Sequence, residues 1–80
     1  MKRIIWTESA KADVRRLDKP TAMRILAALH RFAEVGEGDV KALQGRDELR
    51  LRIGDYRLFF VASGDALEIR SVAHRSEAYR

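Results

Sequence analysis

The chain has no cysteine and only one proline in 80 residues. Without thiols, neither a disulfide framework nor a thiolate metal site can staple the fold, and a reducing cytoplasm suits that absence. No segment approaches the roughly 20 apolar residues of a membrane span. The opening MKRIIW holds a three-residue apolar run, far short of a signal peptide. These absences predict a soluble, unexported protein with no membrane partner. Also missing are a carboxylate pair, a cluster with metal-ligand spacing, a nucleophile elbow and a glycine-rich phosphate loop, so neither metal nor cofactor is expected. Repeats, low-complexity stretches and linkers are absent too, which makes residues 1–80 one domain.

What is present suffices for a thin single core. Hydrophobic residues are 46% of the chain, enough to fold it despite 35% charged residues. The net charge of +4 leans toward an anionic partner such as nucleic acid. Each half of the sequence carries eight basic and six acidic residues, so any basic patch must be made by folding.

Residues 2–6 read as a short strand, and Thr7 as the cap of a helix whose apolar stripe is Ala10, Val14 and Leu17. Pro20 suits the first turn of a second helix, in which Ala22, Ile25, Leu26, Leu29, Phe32 and Ala33 recur at three- and four-residue spacing. Gly36 is placed to end it. Residues 36–46 read as a loop with Val40 and Leu43 as anchors. His30 falls among polar residues on the second helix and reads as surface.

The run ELRLRIGDYRLFF, Glu48 to Phe60, carries the strongest pattern. Leu49, Leu51 and Ile53 alternate with Arg50 and Arg52, as in a strand with one face buried. Gly54 and Asp55 supply a two-residue hairpin turn with glycine first. That turn fixes the register: Ile53 faces Tyr56, Arg52 faces Arg57, Leu51 faces Leu58, Arg50 faces Phe59 and Leu49 faces Phe60. One face becomes apolar, and the other carries Arg50, Arg52, Arg57 and Phe59. A second turn at Gly64 and Asp65 extends the sorting, with Leu67 and Ile69 on the apolar face and Glu68, Arg70 and Val72 on the basic one. Directly opposed arginines cost stability, by a few tenths of a kcal/mol up to about 1. One reading of this is an ordinary solvated face, partly neutralised by Glu68 and Asp55. The other is a phosphate site, since converging guanidinium groups match phosphate oxygens. Phe59 among them could stack a base or merely cover the sheet.

The chain ends SVAHRSEAYR, which brings His74, Arg75 and Tyr79 near the end of the last strand. Taken together, the LRIGDYR hairpin, the AHRSEAY ending and the order of elements resemble the RelE/ParE superfamily of bacterial type II toxin–antitoxin toxins, and its RelE-like branch in particular. The resemblance implies an α+β fold of order β-α-α-β-β-β, with a helical hairpin packed on one face of a mainly antiparallel sheet. It implies a ribosome-dependent endoribonuclease that cuts mRNA in the A site, with a cognate antitoxin and the ribosome as partners. By position, Arg50 and Arg52 match the family's basic pair and Arg57 the arginine after the turn. Tyr79 matches the terminal tyrosine, and either His74 or Arg75 the basic residue before it.

These matches give Arg57, Tyr79, His74 and Arg75 as catalytic candidates, Arg50, Arg52 and Arg57 as phosphate ligands, and Phe59 as a base-stacking candidate. Glu68 and Glu77, being single carboxylates, read as ion-pair partners. Some relatives have lysine where this chain has Arg50 and Arg52. Two alternatives accompany the reading: a ParE-like inhibitor of DNA gyrase, and an inactive homologue that binds nucleic acid or antitoxin without cutting.

Overall fold

The computed structural model describes residues 1–78. Seven elements follow one another: β1 (Arg3–Trp6), α1 (Glu8–Arg15), α2 (Lys19–Val35), β2 (Asp39–Ala42), β3 (Leu49–Ile53), β4 (Tyr56–Ser63) and β5 (Ala66–His74). The strands form one sheet in the order β1-β5-β4-β3-β2, antiparallel throughout except that β1 lies parallel to β5.

Both helices begin where their caps dictate. The Thr7 side chain accepts the Ala10 N–H at 3.2 Å, and the Asp18 carboxylate accepts the Thr21 N–H at 3.4 Å. α2 stops at Gly36, whose φ of +75° is the left-handed cap that glycine adopts without a Cβ penalty. The helices lie on one face of the sheet and bury Ala10, Ile25, Leu29 and Ala33 against Leu51, Ile53, Leu58, Phe60, Leu67, Ile69 and Val72. Phe32 closes this core with its ring tilted onto Phe60, centroids 5.5 Å apart.

The β3–β4 register is the one the turn implies, with Arg52 opposite Arg57 and Arg50 opposite Phe59. Gly54 and Gly64, at φ +58° and +57°, lead the two tight turns. Two features differ from the sequence expectation. The first is a fifth strand: residues 39–42, expected within a loop, pair antiparallel with β3, giving β-α-α-β-β-β-β. Val40 turns inward against the core while Asp39 and Lys41 turn outward, so the segment alternates as a strand should.

The second is a β-bulge in β5. The β4–β5 ladder runs regularly from Ser63 opposite Ala66 to Phe60 opposite Ile69, then skips Arg70 and resumes with Phe59 opposite Ser71. One extra residue exchanges the two sides of everything after it. Val72, expected on the basic face, therefore sits opposite Leu58 and is buried in the core.

Beyond the bulge, β5 has outgrown β1, and α1 covers the bare edge. Thr7 donates its hydroxyl to Ile69 O at 2.7 Å, and the half-buried Asp13 accepts the Val72 N–H at 2.9 Å. The carboxylate supplies the acceptor that a sixth strand would have provided.

Candidate nucleic-acid interface

The outward face of the sheet, opposite the helices, is sorted by charge. At the β1 end each cation has a carboxylate: Arg3 pairs with Asp65 at 3.3 Å and Arg70 with Glu68. At the β2–β3–β4 end the arrangement changes. Register places Arg52 beside Arg57 on one row, and Lys41, Arg50 and Phe59 together on the next. Among the described residues, neither Lys41 nor Arg52 makes an ion pair. Glu68 and Asp55, the carboxylates that could have neutralised the band, are engaged with Arg70 and, at 3.7 Å, with Arg75. Asp39 shares the face, opposite Arg52.

Arg57 is anchored by its own hairpin. One terminal nitrogen donates to Gly54 O at 3.0 Å and Tyr56 O at 3.1 Å. Its Nε is buried and has no hydrogen-bond partner. Both contacts hold the guanidinium against the β3–β4 turn. Arg75 meets that turn from the other side. Its N–H continues the ladder onto Asp55 O at 2.7 Å, and its side chain approaches the Asp55 carboxylate. Arg57 and Arg75 thus converge on two adjacent turn residues.

His74 does not join them. The bulge that buries Val72 also puts His74 opposite Tyr56, on the helix side of the sheet, with the rings edge to face at 5.3 Å and 89°. The Ser76 N–H donates to His74 Nδ1 at 3.2 Å, which assigns the proton of a neutral ring to Nε2. His74 and Tyr56 line a cleft of about 360 Å³ together with Asp13, Arg16 and Glu77. Of the two residues that the sequence left as alternatives, the bulge brings Arg75 to the Arg57 side and turns His74 away from it.

Phe59 is on the basic face, as expected, but it is only 4% exposed. The Arg46 guanidinium lies over its ring, 5.9 Å from the centroid, and is itself paired with Glu48. A base could stack on Phe59 only by displacing what covers it. Tyr79 lies outside the described residues. Within them, no three His, Asp or Glu side chains gather as a metal ion would require, and no helix is long and apolar enough to cross a membrane.

The sequence reading missed Lys41 and Asp39, because it took their segment for a loop. The D-V-K-A alternation was the signal available.

Comparison with known proteins places this geometry in context. No curated protein matches the chain closely enough to count. Among solved structures, the RelE–RelB complex of Pyrococcus horikoshii OT3 contains a chain with TM-score 0.79 and 22% identity, covering 96% of this chain and 98% of that one. The RelB–RelE antitoxin–toxin complex of Methanococcus jannaschii gives TM-score 0.77 and 21% identity, covering 94% of each. The intact E. coli RelBE toxin–antitoxin complex gives TM-score 0.77 and 20% identity, covering 92% and 96%. At these identities the likeness is one of fold. A family model described as the ParE toxin of the type II toxin–antitoxin system, parDE, matches residues 4–79, so this chain belongs to that toxin family, within the RelE/ParE superfamily.

Proposed function

We propose that the protein is a RelE-like toxin that cleaves messenger RNA on the ribosome. In this reading the 2′-oxygen bonds to the adjacent phosphorus, its proton leaves to a base, the bond from phosphorus to the 5′-oxygen breaks, and an acid returns a proton to that oxygen. The products are a 2′,3′-cyclic phosphate and a 5′-hydroxyl. The observation that carries the reading is the directly opposed pair Arg52 and Arg57, neither of which makes an ion pair among the described residues. Two guanidinium groups opposed in this way are a small cost to an isolated fold, offset in part by Asp39 across from Arg52, and a bound phosphate reverses it.

Arg57 stabilises the charge on the phosphorane, while Arg50 and Arg52 hold flanking phosphates. An arginine, with its pKa above about 12, gives up no proton at neutral pH, so the band binds and polarises rather than acting as base. Tyr79, by its match to the family's terminal tyrosine, is assigned the acid–base role. Arg75, on the Arg57 side of the hairpin, takes the position before it that His74 would otherwise fill. A cognate antitoxin is the second partner, as in the complexes to which the fold is similar. Poor cleavage of naked RNA is expected if the ribosome orients the nucleophile.

The test is primer extension on programmed ribosomes. Wild-type protein should cut between A-site nucleotides, Arg57→Ala should not cut while keeping the wild-type fold by circular dichroism, and Tyr79→Phe should cut roughly 10² to 10⁴ times more slowly. Full activity of the double variant would refute the assignment. The family match itself favours one rival, since it is to a ParE toxin. ParE-like members poison DNA gyrase by binding, so intact message beside trapped gyrase–DNA complexes, with Arg57 dispensable, would establish that reading.

A further inference from the structure

The cationic band is wider than the hairpin that suggested it. Lys41 stands directly opposite Arg50 across the β2–β3 ladder and on the same side of the sheet. It belongs to the last strand of the sheet, is exposed, and makes no ion pair among the described residues. With strands about 4.8 Å apart, the row from β2 to β4 spans about 10 Å, room for more than the single phosphate undergoing reaction. Nothing in the proposed chemistry uses a lysine at the outer end of that row. Its chemistry is that of a compact, hydrated point charge, suited to a phosphate held for position only.

We propose that Lys41 is a backbone-phosphate contact that fixes the path of the RNA strand across β2, outside the reacting nucleotide. This rests on the ribonuclease reading and extends it by stating where the message runs as it leaves the arginine cluster. Such a contact supplies affinity and salt dependence but no sequence information and no catalysis.

The probe is a fluorescent single-stranded RNA of about 12 nucleotides, 2′-O-methylated throughout so that it carries no nucleophile. Anisotropy titrations at several salt concentrations give the slope of log affinity against log salt. Lys41→Gln should lower the magnitude of that slope by about 0.7 and weaken binding about fivefold at 0.1 M salt, the worth of one phosphate contact on a single strand. Lys41→Arg should retain both. On programmed ribosomes, Lys41→Gln should raise the protein concentration that gives half-maximal cutting, and Lys41→Arg should restore it.

A slope equal to that of wild type in Lys41→Gln overturns the inference, as does failure of the wild-type protein to bind the oligonucleotide. It is equally overturned if Lys41→Gln spoils binding to polyglutamate while leaving the RNA slope untouched, because Lys41 would then read an acidic peptide. The two levels of the argument separate. Ribosomal cleavage by wild type with an unaltered Lys41→Gln slope sinks this inference alone. A lowered slope without cleavage sinks the ribonuclease reading and leaves the contact standing.

Discussion

Asp13 is the acceptor that lets β5 run on past the end of β1, and replacing it by alanine tests that role. Its carboxylate takes the Val72 N–H at 2.9 Å, with the Asp13 side chain only 19% exposed. A hydrogen bond to a charged group is worth about 1.5–3 kcal/mol, and the residual solvent access puts this one in the lower half of that range. Asp13→Ala should therefore destabilise the protein by about 1.5–2 kcal/mol. For a domain of this size, each kcal/mol moves the melting temperature by about 4–8 °C, so the fall should be roughly 6–16 °C.

Asparagine keeps a neutral acceptor at the same place and should cost less than half as much. The ion pair of Asp13 with Arg16, at 3.9 Å and with Arg16 exposed, is worth little, and Arg16→Ala serves as the control. Urea denaturation with circular dichroism measures all three. If alanine were within 0.5 kcal/mol of wild type, a threshold well below the range above, or if asparagine were as damaging as alanine, the carboxylate would not be standing in for a strand. Because β5 leads directly into Arg75, Asp13→Ala should also reduce ribosomal cleavage beyond what its loss of folded protein explains.

Two further outcomes follow from local geometry. A Cβ at Gly38 would come within 2.8 Å of the Leu51 side chain, which is buried in the core, so Gly38→Ala should cost about 1–3 kcal/mol in the same denaturation assay. The hydrogen bond from Thr21 holds the Asp18 carboxyl below its usual range. A lowered folded-state pKa stabilises above the unfolded value, about 3.9, and that contribution is lost as pH falls through the folded value. Stability should accordingly fall less steeply with acid between about pH 5 and 2 in Asp18→Asn than in wild type, as pH-dependent thermal melts would reveal.

Local chemistry made much of the architecture legible. The start of α1 and the end of α2 are marked by residues whose side chain or backbone can end a run of hydrogen bonds: Thr7 and Gly36 act within a few residues of themselves. The Arg52–Arg57 pairing was readable for a similar reason, since a two-residue turn leaves one register open to the strands beside it. What escaped was set at long range. The strand status of Asp39–Ala42 depends on β3, and four alternating residues behind two glycines are a faint signal. The parallel seat of β1 beside β5 has no local marker at all.

The bulge at Arg70 was equally silent, with no glycine at the site to announce it. Its effect on the proposed site is the largest of the three. It exchanges the sides of Val72 and His74, and with them the choice between imidazole and guanidinium at the hairpin turn. The like-charge pair, by contrast, was visible as a local cost without a local benefit. Such conflicts between stability and sequence tend to mark a site of function.

Analysis of the cut ends tests the central claim most directly. Message recovered from programmed ribosomes after exposure to the wild-type protein should end in a 2′,3′-cyclic phosphate by mass spectrometry, with a 5′-hydroxyl on the downstream fragment, and neither should form with Arg57→Ala. Fragments carrying a 3′-hydroxyl and a 5′-phosphate, or message that stays whole while cells stop growing, would contradict it.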